Sequence, residues 1–207
     1  MIRAILFDLD GVLVEACDWH YEAFNQALMS VANYSIPYDE HLSTYNGLST
    51  KIKLDMLIAK KIITTRQLDD IWKAKQIFTK EIVEKKATPD LEKIQLHEMT
   101  ASLNIISACV TNSIRETTKL MLDKTWQLGY MKTLVCNEDT ERNKPFPDPY
   151  IFAMKKLGLN TDEVLIIEDS EIGMISALAS KAHVKCVKNC SQVNIKNMKD
   201  WLSEIGD

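Results

Sequence analysis

The chain has 207 residues, enough for one full domain or for a core with a modest insertion. With 46% hydrophobic and 26% charged residues it has the make-up of an ordinary globular protein, which excludes disorder and fibrous repeats. Its 29 acidic and 25 basic side chains give a formal net charge of −4, so no global cationic field gathers nucleic acid or anionic lipid. A small phosphorylated molecule remains open as a partner.

The opening run Ile2-Arg3-Ala4-Ile5-Leu6-Phe7 is short, apolar and closed by the polar turn Asp8 to Gly11, the pattern of a strand buried on both faces. It is too short and too soon interrupted for a signal-peptide h-region or a membrane span, and a cytoplasmic location is expected. From Glu15 to Lys86 no apolar strand run occurs. Helical periodicity at 19–31, 49–60 and 65–85 predicts a helical insertion after the first strand. Its limits fall near Glu15 and at Thr88-Pro89-Asp90, where Pro89 and its cap-forming neighbours stop a helix. The expected organisation is therefore one unit from 1–14 and 88–207, and an inserted unit from 15–87.

Further strand runs follow at 105–111, 133–136 and 164–167, ending at Asn112-Ser113, Asn137-Glu138 and Glu168-Asp169-Ser170. Helices are expected at 115–123, 148–157 and 171–180, with Gly158 stopping the second. Strands alternating with helices imply right-handed β-α-β crossovers and an α/β fold with a doubly wound, Rossmann-like parallel sheet. Such sheets bind ligands beyond the carboxyl ends of their strands, where Asp8, Thr111, Asn112, Glu168 and Asp169 fall.

Asp8 and Asp10 form a carboxylate pair at the first strand end. One can attack phosphorus to form an aspartyl-phosphate, while the other donates a proton to the leaving group and later takes one from water. An acidic turn closing a strand is the plainer alternative. Thr111 offers a hydroxyl, and the turn into a helix at Asn112-Ser113 offers N–H groups for a phosphate oxygen, although a simple helix cap has the same pattern. Lys144, in a loop stiffened by Pro145 and Pro147, either reaches a phosphate or is an ordinary solvated lysine. Glu168 and Asp169 are hard oxygen donors of the kind Mg2+ prefers, and Gly173 allows the following loop to tighten. The five cysteines contain no C-x-x-C pair and the four histidines are scattered, so core thiols are expected and zinc is not.

Each signal alone is weak, but together they recur in one order: D-x-D-G-V from Asp8 to Val12, T-N-S from Thr111 to Ser113, K-P-x-P-D-P from Lys144, and E-D-S-x-x-G from Glu168 to Gly173. In this the chain resembles the haloacid dehalogenase-like phosphohydrolase superfamily, and within it the β-phosphoglucomutase-like branch with a helical cap inserted after strand 1. The resemblance implies Asp8 as nucleophile, Asp10 as general acid/base, and Thr111 and Lys144 as phosphate holders. It also implies Mg2+ held by the Asp8 carboxylate, the Asp10 main-chain carbonyl and Asp169, with Glu168 beside it. In the helical segment His20, Gly47 and Ser49 resemble substrate-contacting positions, as does Asn112 in the core. Thr50 stands where the mutase carries arginine, and threonine cannot supply that bidentate charge to a second phosphate. Ala16 stands where relatives carry a Ser or Thr, and Ser180 to His183 replaces a glycine turn by a different loop. The expected function is a Mg2+-dependent phosphatase for a small phosphorylated metabolite, a sugar phosphate first. A phosphosugar mutase and a catalytically silent binding or regulatory member are the alternatives. Relatives of this type are often monomeric.

Overall fold

The computed structural model describes residues 1–206. Its centre is a five-stranded parallel sheet of β1 (Ala4–Phe7), β2 (Ile106–Val110), β3 (Met131–Val135), β4 (Val164–Glu168) and β5 (His183–Cys186), in the order β3-β2-β1-β4-β5. The crossovers run one way from β1 to β2 and β3, and the other way to β4 and β5. The strand order thus reverses at β1, and sheets of this topology bind ligands at the carboxyl ends of the strands beside such a switch point, here β1, β2 and β4. The register pairs Phe7 with Cys109 on one side and with Ile167 on the other, bringing the three polar strand ends level.

All four residues of β1 are buried, as an apolar run with no alternation requires. Ala4 and Leu6 pack into a core with Val110, Val135, Tyr150 and Ile166, while Phe7 meets the His97 ring edge-on on the opposite face. The helices around the sheet are α5 (Leu91–Ser102), α6 (Arg115–Lys124), α7 (Asp148–Leu157), α8 (Glu171–Ala179) and α9 (Ile195–Gly206). Asp90 starts α5 by accepting a hydrogen bond from the Lys93 N–H at 3.0 Å. Helix α7 carries Pro149 in its first turn and ends at Gly158 with φ +68°.

Strand β5 and helices α5 and α9 are elements that the sequence expectation does not name. The loop expected at Ser180 to His183 is a turn over 180–182, and β5 follows it unannounced, because an edge strand half open to solvent needs no apolar run. Its entry turn needs no glycine either, since Lys181 itself adopts φ +65°. Helices α5 and α9 occupy stretches for which the sequence expectation names no element, although α9 is strongly amphipathic.

The chain divides into two compact units, Met1–Glu15 together with the chain from Thr88 onward, and Ala16–Ala87. The second unit is helical: α1 (Cys17–Ala32), α2 (Tyr38–Glu40) running into a π-helical turn at His41–Tyr45, α3 (Thr50–Ala59) and α4 (Leu68–Lys86). It has its own core of Phe24, Leu28, Ile36, Tyr45, Leu57 and Ile71. Among the described residues, no helix is long and apolar enough to cross a membrane.

Candidate active site

The site is built from the ends of β1, β2 and β4 and from the loop that carries Lys144. Asp8 directly follows β1, and its N–H still donates to the Ile167 carbonyl at 3.0 Å, so its backbone is held by the sheet. The chain then turns sharply: Leu9 accepts from the N–H groups of Leu13 and Val14, both at 2.9 Å, and Gly11 takes φ +85°. Glycine is required there twice over, because a Cβ at position 11 would collide with the Asp169 carboxylate.

Lys144 is the electrostatic centre. Its ammonium, 3% exposed, donates to Asp8 Oδ1 at 2.7 Å, Glu168 Oε1 at 2.5 Å and the Val110 carbonyl at 2.7 Å. All three ammonium donors are thereby satisfied, which a buried lysine needs to remain charged. The Asn112 carboxamide grips the Lys144 main chain at both polar groups, each at 3.1 Å, and so holds the loop from which the side chain enters. The solvated-lysine alternative is therefore excluded.

Glu168, wholly buried at the end of β4, also accepts from the Tyr150 hydroxyl at 2.5 Å, and its second oxygen accepts from the Asp169 N–H at 3.2 Å. The Lys144 ammonium lies 4.9 Å from the centre of the Tyr150 ring. Gly173 sits in the first turn of α8 rather than in a loop. Its function is clearance, since a Cβ there would run into the Glu168 carboxylate.

Oxygens of Asp8, Glu168 and Asp169 lie within 4.8 Å of one another, and Asp169 Oδ1 is buried without a hydrogen-bond partner. Burial raises the Asp8 carboxyl well above the usual carboxylate range; Lys144 works against this, while Glu168, Asp169 and Asp10 add to it. Burial, with Glu168 and Asp10 beside it, lifts Asp169 to about 7. Burial lowers the Lys144 ammonium, but Asp8 and Glu168 outweigh that and leave it raised. Three crowded hard-oxygen donors and one orphaned oxygen suit a small divalent cation, which relieves the carboxylate repulsion.

The Thr111-Asn112-Ser113 segment differs from expectation in detail. The Ser113 N–H is taken by Thr111 Oγ1 at 3.0 Å, so it is not available to a ligand. Helix α6 starts only at Arg115, whose N–H is capped by both oxygens of Glu138 at 3.0 and 3.1 Å. The Ser113 hydroxyl donates to Asp10 Oδ2 at 2.9 Å. Neither this contact nor Tyr150 is visible in the sequence; Tyr150 follows the K-P-x-P-D-P run, but nothing there names its partner.

The remaining predicted residues lie in the helical unit. His20 Nδ1 is 3.3 Å from the Lys75 ammonium, and Lys75 is buried. Gly47 takes φ +74°, and Ser49 Oγ caps α3 by accepting from the Ile52 N–H at 3.5 Å. Lys53, not singled out from the sequence, is also buried, with its ammonium 5.7 Å from the centre of the Phe24 ring.

A parallel sheet with a carboxylate-lysine-carboxylate cluster at its carboxyl edge defines a hydrolase class. The sequence model of the haloacid dehalogenase-like hydrolases matches residues 5–187, and the chain belongs to that family. Among its relatives, the pyrophosphatase PpaX of Oceanobacillus iheyensis is 26% identical, over 100% of this chain and 98% of that protein. A phosphoglycolate phosphatase of Nitrosospira multiformis is 24% identical, over 90% of this chain and 83% of that protein. In three dimensions a β-phosphoglucomutase of Clostridium difficile matches with a TM-score of 0.84 at 19% identity, over 99% of this chain and 98% of that one, showing a shared fold.

Proposed function

We propose that this hydrolase is a Mg2+-dependent phosphatase of small phosphorylated metabolites, sugar phosphates foremost, acting through an aspartyl-phosphate on Asp8. The observation that carries the reading is the buried Lys144 ammonium, 2.7 Å from Asp8 and 2.5 Å from Glu168, at the edge where three carboxylates converge. A fixed cation beside a nucleophilic carboxylate offsets the repulsion an incoming phosphate dianion meets there.

In the first step an Asp8 oxygen attacks phosphorus and the bond to the leaving oxygen breaks, while Asp10 gives that oxygen its proton. In the second, Asp10 takes a proton from water as the water attacks phosphorus, the bond to Asp8 breaks, and inorganic phosphate leaves. The Thr111 hydroxyl orients a phosphoryl oxygen, Lys144 acts on the phosphoryl group through its charge because its three donors are already engaged, and Asn112 fixes Lys144. Asp8, Asp169 and the Asp10 main-chain carbonyl, with Glu168 beside them, would hold the metal. When bound, Mg2+ supplies charge neutralisation to the nucleophile and the phosphoryl group together. The helical unit, with His20, Gly47 and Ser49, serves as the substrate-selecting cap.

The names of the relatives, a pyrophosphatase and a phosphoglycolate phosphatase, support small phosphorylated compounds as the class. The fold shared with a β-phosphoglucomutase keeps phosphoryl transfer between sugar hydroxyls as a second reading; Thr50 in place of an arginine weighs against it. The complete set of Asp8, Asp10, Thr111, Lys144 and Asp169 weighs against a silent binding member. The test is phosphate release from p-nitrophenyl phosphate, sugar phosphates, phosphoglycolate and pyrophosphate, with and without Mg2+, beside Asp8→Asn. Mg2+-dependent release abolished by Asp8→Asn is expected. Silence over the whole panel, with transfer from a sugar bisphosphate, would favour the mutase.

A further inference from the structure

Asp10 sits on the turn after β1, where the backbone is held by the Gly11 N–H donating to the Val14 carbonyl at 2.8 Å. That bond fixes the main chain but leaves the two side-chain torsions of Asp10 to be set by other contacts. The Ser113 hydroxyl reaches it from 103 residues away in sequence, donating to Oδ2 at 2.9 Å.

Ser113 is itself unusually constrained. Its N–H donates to Thr111 Oγ1 at 3.0 Å, and its carbonyl accepts from the Asn137 N–H, also at 3.0 Å. Thr111 is tied in turn to the Val135 carbonyl by its own N–H at 2.9 Å. The hydroxyl is thus mounted on the ends of β2 and β3 together, so little further freedom is lost in pointing it at Asp10.

We propose that Ser113 is a positioning residue for Asp10, holding Oδ2 so that Oδ1 is the oxygen that exchanges the proton. The assignment rests on the phosphatase reading, in which Asp10 is the acid and base. Oδ2 accepts from the hydroxyl both when the carboxyl is ionised and when Oδ1 carries a proton, so the contact persists through both halves of the reaction. Orientation of this kind matters because proton transfer to a leaving oxygen needs hydrogen-bond distance and alignment in the transition state.

The test compares kcat/KM, which reports formation of the phospho-enzyme and departure of the leaving group, for two substrates. Expulsion of p-nitrophenolate needs little help from an acid, whereas expulsion of an alkoxide from an alkyl phosphate needs much. Ser113→Ala is expected to lower kcat/KM for the alkyl phosphate about 10- to 100-fold, part of the range a general acid supplies, and for p-nitrophenyl phosphate less than about threefold. Ser113→Thr, which keeps the hydroxyl, restores the ratio. Because the readout is a ratio on one sample, any loss of folded protein cancels. Equal losses on both substrates, or no loss, overturn the assignment while leaving the phosphatase intact. If the wild type is inert on every phosphoester, or Asp8→Asn is as active as wild type, the underlying reading fails and this one with it.

Discussion

The buried ammonium of Lys144 in the sheet unit meets two carboxylates at 2.5 and 2.7 Å. In the helical unit, by contrast, His41 is buried with its Nδ1 unpartnered. Parallel strands end together at one edge, so polar residues from distant parts of the chain are forced onto one point. Helices spread their side chains around a cylinder and bring polar groups together only where faces pack. The dense charge network therefore belongs to the unit whose topology demands convergence.

The sharpest way to break this comparison is to remove the central cation. Lys144→Met leaves Asp8 and Glu168 buried side by side without compensation. A loss of about 3–5 kcal/mol in urea unfolding is expected, as for other broken buried ion pairs. Phosphatase activity is expected to fall by at least about 100-fold in the same variant. Retention of stability would mean that the carboxylates relax into solvent and the network is not rigid.

Adding and then chelating Mg2+ tests the same edge more gently. At a Mg2+ concentration near 100-fold its dissociation constant, the metal is expected to add about 2.7 kcal/mol to unfolding stability. A chelator should reverse the gain, and Asp169→Asn should reduce it; calorimetry with and without Mg2+ reads both.

Two glycines sharpen the point about crowding. Gly173→Ala drives a methyl into the Glu168 carboxylate and is expected to cost about 1–3 kcal/mol, with activity falling alongside. Gly158→Ala meets nothing within 4 Å and pays only for its φ of +68°, roughly 1 kcal/mol, with no effect on turnover.

The pH response of the helical unit follows from His41, which burial, with Lys53 and His20 nearby, lowers to about 4 from 6.5. A histidine with a depressed folded pKa is neutral in the native state but charges first in the unfolded chain. Its contribution is complete above about pH 6.5 and is lost as the pH falls through that value towards 4. Hydrogen exchange in α1 and α4 should accelerate over that window, and His41→Phe should flatten the response. The smallest effect expected is that of Ser49→Ala, about 0.5 kcal/mol, since its capping bond is long at 3.5 Å. Thermal melting measures it.

The sequence by itself determined the order of the strands' polar ends and the classes of chemistry they bear. An apolar run stops where a buried strand ends, and Asp8, Asn112-Ser113 and Glu168-Asp169 mark three such stops. The boundaries of α7 were equally readable, because Pro149 and Gly158 act locally on the backbone. Only the tertiary structure decided which of these polar groups touch. The Ser113-Asp10 contact spans 103 residues, the Asn112-Lys144 clamp 32 and the Tyr150-Glu168 bond 18. Each depends on strand register and crossover length, which no local pattern encodes. The need for glycine at 11 and 173 was hidden for the same reason, since it comes from carboxylates that only the folded sheet brings near. Strand β5 escaped because an exposed edge carries no apolar signature, and its place is set by pairing with β4. Local physics writes backbone punctuation into the sequence, while side-chain partnership is settled when the sheet closes its register.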